Sequence, residues 1–273
     1  DYFRGVALDS DGSVVLAGTA AQTTTHFDFG IARYLPSGAL DTAFSTDGKA
    51  TTTANTRSSG EIRAILGLPN GQILGVGSIA VHGYFGAGFA RYHSWQALDT
   101  SFDTDGFHND WADDITVQLY GAALQNDGKI IGVGSYATTS SSPKFWIQRL
   151  LSDGLSDTSF SDDGVYLNWI GNNLEAEQGT AVVIQTDGNY LAVGSGNDGT
   201  LDPFWLVRLT PAGVLDTSFS TNGWLTNTIG TSGKATGLLL QPDGRSIATG
   251  YATPSGGNAD FVLVRYFSSG TID

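Results

Sequence analysis

The sequence has 273 residues, a formal net charge of −14 and no cysteine. So acidic a chain excludes nucleic acids and membrane surfaces as partners, because both demand basic protein surface. The absence of cysteine excludes disulfide bonds and thiolate metal sites, and no apolar run approaches the roughly 20 residues that insertion of a helix into a membrane needs.

One unit of about 57 residues recurs five times, which indicates a propeller or a solenoid. Each copy contains an Asp-Gly or Asn-Gly pair, and a second glycine follows six residues later. The glycines of the pairs are Gly12, Gly71, Gly128, Gly188 and Gly244, and the second glycines are Gly18, Gly77, Gly134, Gly194 and Gly250. The repeats cover residues 1–53, 54–111, 112–169, 170–228 and 229–273.

Each copy opens with a short apolar segment a, which ends at the Asp-Gly pair (5–8, 64–66, 121–124, 181–184 and 237–240). Its first residue is always glycine or alanine. This predicts the strand nearest a propeller axis, where only small side chains fit. The Asp-Gly pair then predicts a two-residue hairpin turn into segment b (14–19, 73–78, 130–135, 190–195 and 246–251).

Segment c ends at or just after a repeated arginine (29–34, 88–92, 145–150, 204–209 and 261–266), and segment d follows a further turn (49–53, 107–111, 165–169 and 224–228). Segments a, b and c occur five times, whereas segment d occurs four times. We therefore predict an all-β fold, a five-bladed β-propeller of four-stranded antiparallel blades whose last blade lacks one strand. Residues 1–273 would form a single β-propeller domain; the alternative is five repeats cut from a longer array.

An aspartate follows each repeated arginine by eight residues. The arginines are Arg33, Arg91, Arg149, Arg208 and Arg265, and the aspartates are Asp41, Asp99, Asp157, Asp216 and Asp273. The constant spacing favours a structural ion pair, because a guanidinium matches the geometry of a carboxylate. The alternative is one ligand site per blade.

The motifs resemble the delta-60 repeat. They consist of an Asp-Gly turn, an Arg-Tyr or Arg-Leu pair and a Gly-x-Leu-Asp-Thr-Ser-Phe-like segment, best seen in 97–106 and 214–223. The resemblance implies propeller-like modules of large bacterial surface or secreted proteins. We accordingly expect a secreted, cell-surface or periplasmic location. The chain, which lacks methionine, is also expected to be part of a larger polypeptide.

The connections between segments b and c, and between d and the next a, differ strongly among copies, whereas the other two turns are uniform. Variable loops on one face of a uniform scaffold predict a ligand-binding face. The residues predicted to bind ligand there are Trp111, Asp113, Asp114, Trp169, Glu175 and Glu177. Tryptophan beside carboxylates is typical of carbohydrate recognition, and a protein surface ligand is the other candidate. Alternatively, both tryptophans fill gaps between blades.

Asp110, Asp113 and Asp114 are the candidate ligands for calcium, and no other cofactor is predicted. The apolar segments a, the scattered histidines and the absence of a nucleophile motif predict that the protein is not an enzyme. Two alternatives stay open. One is a structural or adhesive spacer, and the other is a propeller glycosidase with carboxylates such as Glu61 and Asp198 at one mouth.

Overall fold

The computed structural model describes residues 1–21, 23, 27–53, 59–93, 97–170 and 175–273, and its regular structure is β throughout. In these ranges no helix is long and apolar enough to cross a membrane. The strands of the first two blades are β1 Tyr2–Leu8, β2 Val14–Ala21, β3 Phe27–Tyr34, β4 Lys49–Thr52, β5 Ser59–Gly67, β6 Ile73–Val81, β7 Tyr84–Tyr92 and β8 Phe107–Asp110.

The remaining strands complete five sheets. They are β9 Ile115–Leu124, β10 Ile130–Thr138, β11 Lys144–Leu150, β12 Val165–Asn168, β13 Glu175–Ile184, β14 Tyr190–Asn197, β15 Phe204–Leu209, β16 Trp224–Asn227, β17 Ser232–Leu240, β18 Ser246–Thr253 and β19 Asp260–Tyr266. Four sheets have four strands, the last has three, and the strands of each sheet pair in chain order. The predicted five-bladed propeller with a three-stranded last blade is confirmed.

The turn between the first and second strand of each blade differs from the predicted two-residue hairpin. In the first blade the backbone amide of Asp9 donates to the carbonyl of Ser13 at 2.8 Å, and the amide of Gly12 donates to the carbonyl of Asp9 at 3.0 Å. This is a three-residue loop, in which a turn is followed by glycine at φ +82°. The same bonds recur in the other four blades. The aspartate before the glycine keeps a negative φ, so glycine alone takes the left-handed conformation.

The chain divides into two compact units. The first contains Asp1–Lys129 with Leu150–Leu155, and the second contains Ile130–Arg149 with Ser156–Asp273. Each unit has its own apolar core. Phe29, Phe44, Ile62, Ile73 and Tyr92 belong to that of the first unit, and Leu191, Val193, Phe204, Phe219 and Tyr266 belong to that of the second. The single domain over 1–273 stays a prediction.

Within each unit the first strands of successive blades contact one another. In the first unit β1 contacts β5, and β5 contacts β9; in the second unit β13 contacts β17. This arrangement agrees with the small residues that open segment a, because a strand flanked by two others at close range has little room for side chains. The first strands also begin earlier than segment a, and these additional residues line the sites described next.

Candidate ligand-binding site

A pocket opens between the first and second blades, within the first unit. Its volume is about 250 Å³. It is lined by Tyr2, Arg4, Thr19, Phe27, Ser59, Gly60, Glu61 and Phe85. These residues lie at the starts of β1, β3, β5 and β7 and near the end of β2, where the variable connections leave the strands. The pocket is therefore on the side that the sequence predicts for ligand binding.

Charged groups on neighbouring first strands line this pocket or lie beside it. Glu61 on β5 forms ion pairs with Arg4 on β1 and with Arg63, whose Nη2 lies 3.0 Å from Oε2 of the carboxylate. The guanidinium of Arg63 also lies over the ring of Tyr120 on β9, 4.3 Å from its centroid. Opposite charges therefore lie side by side in a pocket that Tyr2, Phe27 and Phe85 also line.

Sequence reasoning named Glu61 as a candidate carboxylate but missed its pairing with Arg4 and Arg63. Segment a was taken to begin at Gly5 and at Ala64, which left these residues outside the predicted strand. The signal in the sequence is the set of charged residues just before each segment a. The segments a are apolar as the sequence indicates, but the strands that contain them start three or more residues earlier and carry charge there. Rings that can stack beside donors and acceptors suit a polyhydroxylated ligand.

A second pocket, of about 220 Å³, lies between the fourth and fifth blades, within the second unit. It occupies the equivalent place in the repeat. In the strand register Lys234 on β17 lies opposite Tyr251 on β18, just as Glu61 on β5 lies opposite Ser78 on β6. Tyr251 and Ser78 each directly follow the repeated glycine of segment b. The same position therefore carries a negative side chain in one pocket and a positive one in the other, which gives the two pockets different chemistry.

Asp202 fixes the positions of two polar residues that line the second pocket, Asn197 and Ser232. Its Oδ1 accepts a hydrogen bond of 2.6 Å from Nδ2 of Asn197, and its Oδ2 accepts one of 2.8 Å from Oγ of Ser232. Tyr251 is partly exposed beside them. Because both carboxylate oxygens are engaged within the protein, this wall of the pocket is preorganised.

The two predicted tryptophans differ in accessibility. Trp111 follows β8 and is 40% exposed, with its ring edge-to-face against His82 at 5.4 Å. Trp169 follows β12 and is half-buried, and Nζ of Lys144 lies 5.4 Å from the centre of its ring. Each ring thus already has a neighbour on its own unit, and ligand binding by either stays a prediction.

The carboxylates predicted to bind calcium lie at the end of β8 and in the loop that follows it. Oδ2 of Asp110 lies 3.0 Å from Nε2 of His108, whose Nδ1 lies 2.7 Å from Asp103. Burial lowers the pKa of His108, but the two carboxylates outweigh it, and the pKa is raised. Asp113 and Asp114 are exposed. In the described residues no group of three or more His, Cys, Asp or Glu is arranged to hold a metal; calcium binding stays a prediction.

Glu177, predicted to contact ligand, is instead fully buried, while Glu175 on the same strand is exposed. A β-bulge between Glu175 and Gln178 turns the Glu177 side chain inward. Its Oε1 accepts a hydrogen bond of 2.5 Å from the amide of Ile170, and Oε2 accepts one of 3.3 Å from that of Phe145. Burial raises the pKa of Glu177 to about 7, against the effect of these two amides. The residue ties the third blade to the fourth, and its burial leaves its carboxylate engaged with the protein rather than with solvent.

The repeated arginines form the predicted ion pairs. The distances from Nε to the carboxylate are 2.7 Å for Arg91–Asp99, 2.8 Å for Arg149–Asp157, 2.7 Å for Arg208–Asp216 and 2.6 Å for Arg265–Asp273, and Arg33 pairs with Asp41 through Nη1. Three of the guanidiniums also donate to a backbone carbonyl of the next blade, at Ser152, Pro211 and Ser268. These contacts describe a clamp between blades, which favours the structural interpretation.

The model of one protein family, described as "Domain of unknown function (DUF5122) beta-propeller", matches four stretches of the sequence. They are residues 10–44, 125–160, 185–219 and 241–273, together about half of the chain. Each stretch runs from the first turn of a repeat to its Leu-Asp motif. The match supports membership of a propeller-repeat family, while the name delta-60 stays a prediction. No curated protein matches the sequence.

Solved structures with a similar fold include enzymes. A protein of unknown function from Dyadobacter fermentans has a TM-score of 0.59 at 11% identity, covering 96% of this chain and 74% of that one. A GH43 β-1,3-galactosidase has a TM-score of 0.51 at 13% identity (96% and 55% covered), and a Hadza microbial sialidase has 0.54 at 10% (98% and 56%). This chain thus spans little more than half of either enzyme.

The prediction that the protein is not an enzyme is contradicted by these comparisons, because two proteins that share the fold are named as enzymes. In addition, the first strand of the second blade carries a carboxylate outside segment a, that of Glu61, which forms ion pairs with two arginines. At this level of identity the likeness establishes the fold, and the chemistry has to be argued from the site.

Proposed function

Because the chain belongs to the DUF5122 β-propeller family, whose fold carries many functions, we propose its function from the site: it binds carbohydrate in the pocket between the first two blades. The observation that carries the proposal is the combination of three aromatic rings, Tyr2, Phe27 and Phe85, with the ion pair of Arg4 and Glu61 in one pocket. Sugar rings stack on aromatic faces, and their hydroxyls both donate and accept hydrogen bonds.

The size and charge of the pocket agree with this ligand class. A volume of about 250 Å³ is somewhat below the range of drug-sized pockets, which begins near 300 Å³, so one or two sugar residues would fit and the rest of a chain would lie outside. The galactosidase and the sialidase are named for sugar substrates, which supports the ligand class by analogy of fold. A secreted or cell-surface location belongs to the same proposal.

A glycan array with purified protein tests the proposal, in buffer with and without calcium. We expect Phe85→Ala and Glu61→Gln to weaken binding by about tenfold each, since a stacked ring or a buried charged hydrogen bond contributes roughly 1–2 kcal/mol. Val214→Ser, an exposed substitution in a turn of the second unit, is the matched control. Circular dichroism establishes that each variant remains folded.

Trp111→Ala and Trp169→Ala in the same array distinguish this pocket from the site predicted from the sequence. Binding that these two substitutions weaken, and that Phe85→Ala leaves intact, would move the site to the tryptophan loops. A calcium requirement would implicate Asp113 and Asp114. If no glycan binds at any concentration, the carbohydrate proposal is wrong and the spacer function takes its place.

Glycoside hydrolysis is a second candidate, favoured by the position of Glu61 in a sugar-sized pocket on a fold that glycosidases share. Hydrolysis by two carboxyl groups requires a second one within roughly 5–10 Å. Release of reducing sugar from any glycan that binds, and its loss in Glu61→Gln, would establish catalysis. Binding without product under the same conditions would confine the function to recognition.

A further inference from the structure

The pocket between the first two blades and the pocket between the last two are built from the same positions of the repeat. In both, the earlier blade contributes the residue ten positions before the turn glycine, the one seven positions after it, and the one six positions before the repeated arginine. These residues are Tyr2, Thr19 and Phe27 in the first pocket, and Gln178, Ser195 and Asp202 in the second. The repeat therefore places a pocket at the same point of two different junctions between blades.

The later blade contributes a serine and a glycine to each pocket. They are Ser59 and Gly60 in the first pocket, and Ser232 and Gly233 in the second. Oγ of Ser59 accepts a hydrogen bond of 3.4 Å from the amide of Phe27. Oγ of Ser232 donates one of 2.8 Å to Oδ2 of Asp202, which has the position of Phe27 in its own repeat. The serine thus joins the same two positions across both junctions.

The glycine leaves its position in the junction without a side chain. A Cβ atom at Gly60 would lie 2.8 Å from the ring of Phe29, and one at Gly233 would lie 3.0 Å from the ring of Phe204. Both rings are fully buried. Contacts this close disfavour any larger residue, so the packing of each blade on the next keeps this position of both pockets free of a side chain.

The junction between the third and fourth blades has a glutamate at the same position. Glu177 lies eleven residues before its turn glycine, as Gly60 and Gly233 do. The amide of Glu177 donates to the carbonyl of Pro143 at 2.8 Å. The amide of Gly233 makes the equivalent bond to the carbonyl of Asp202, at 3.1 Å. The backbone therefore follows the same course at both junctions.

The side chain of Glu177 fills its junction from within. It is fully buried, and its carboxyl group accepts hydrogen bonds from the amides of Phe145 and Ile170. An oxygen-bearing group thus occupies, at this junction, the position that glycine leaves without a side chain at the other two. The residue at this position of the repeat accordingly decides whether the chain itself fills a junction.

We propose that the pocket between the fourth and fifth blades is a second binding site, whose ligand is a neutral sugar residue held by hydrogen bonds. The inference rests on the proposed function, since it extends the same ligand class to a second pocket. Gln178, Asn197 and Ser232 line this pocket with amide and hydroxyl groups. Such groups donate and accept hydrogen bonds, as sugar hydroxyl groups do.

The charge, order and size of the second pocket agree with this ligand. Asp202 and Lys234 bring one negative and one positive charge to its lining, which favours a ligand without net charge. Asp202 also holds the side chains of Asn197 and Ser232 in place, which lowers the cost of ordering them on binding. A volume of about 220 Å³ suits a single sugar residue.

Heteronuclear NMR of the labelled chain tests the proposal, with galactose, glucose, mannose and xylose as probes added one at a time. The backbone amides of Ser232 and Gly233 report on the second pocket, and those of Ser59 and Gly60 report on the first. We expect saturable shifts at Ser232 and Gly233 with at least one probe. The amide of Glu177 should not shift, because its own side chain fills that junction.

Two substitutions at the same position of the repeat provide matched variants. Gln178→Ala should weaken binding at the second pocket about three- to tenfold, as the loss of one or two hydrogen bonds predicts, and leave the shifts at Ser59 and Gly60 unchanged. Tyr2→Ala should weaken binding at the first pocket alone. The unshifted remainder of each spectrum establishes that the variant is folded.

The two pockets can fail separately. Shifts confined to Ser59 and Gly60 with every probe would overturn the second site and leave the proposed function standing. Shifts confined to Ser232 and Gly233 would support the second site and refute the first. Saturable shifts at Ser232 and Gly233 that Gln178→Ala leaves at full affinity would also overturn the proposal, and a spectrum that no probe changes would refute both sites.

Discussion

The buried carboxyl group of Glu177 predicts an unusual dependence of stability on pH. Its pKa is raised from 4.5 to about 7 in the folded protein because the side chain is removed from water. Between these two pH values the folded chain keeps a proton that the unfolded chain has released. Rising pH therefore favours unfolding. The stabilising contribution is fully present below about pH 4.5 and is lost as the pH rises through 7.

The size of the effect follows from the shift. One pKa unit corresponds to about 1.4 kcal/mol, so the rise to about 7 corresponds to roughly 3 kcal/mol between pH 4.5 and pH 8. The amide side chain in Glu177→Gln carries no charge at any pH, so the variant does not undergo this loss of stability. The free energy of unfolding of the variant, measured relative to the unaltered protein, should improve by about 3 kcal/mol across the interval.

Urea unfolding followed by tryptophan fluorescence, at half-unit steps from pH 4.5 to 8, measures the difference. Glu175→Gln removes a carboxylate from an exposed position on the same strand and serves as the matched control, whose pH profile should follow that of the unaltered protein. A constant difference between Glu177→Gln and the unaltered protein over the whole interval would refute the reasoning, because the buried carboxyl group would then not take up the proton.

Three further predictions concern the repeated elements. Arg149→Ala should lower the free energy of unfolding by about 3–5 kcal/mol in a urea titration, since it leaves the buried Asp157 without its cation. Arg265→Ala, at an exposed ion pair, should lower it by less than about 1 kcal/mol. Equal losses would contradict the structural clamp. Gly188→Ala should lower stability by about 1–2 kcal/mol, because the glycine has φ +85°, and an unchanged thermal midpoint would disprove this. Burial raises the pKa of Asp99, but hydrogen bonds and the neighbouring guanidinium lower it to about 2. The contribution of Asp99 to the free energy of unfolding is therefore present above pH 3.8 and lost as the pH falls towards 2. In Asp99→Asn the free energy of unfolding should depend less on pH in that range.

Much of the fold is readable from the sequence because every repeat makes the same local choices. The Asp-Gly turns, the apolar segments and the Arg-Asp spacing recur in phase, and each is a short-range feature. The segment d strands were predicted to within one residue, since 107–111 became Phe107–Asp110. The loop at the first turn was predicted with the wrong length. An Asp-Gly pair is compatible with two-residue and three-residue loops, and only the register of the paired strands distinguishes them.

The candidate sites were decided by tertiary structure. The charges on Arg4 and Glu61 are visible in the sequence, but their meeting depends on how far β1 and β5 extend and on the contact between those strands. The sequence predicts a loop carboxylate at Glu177, whereas a β-bulge turns its side chain into the interior. Repetition along a chain specifies which residues form each blade. The burial of a given side chain depends on the neighbouring blade, because packing joins residues that are far apart in the sequence.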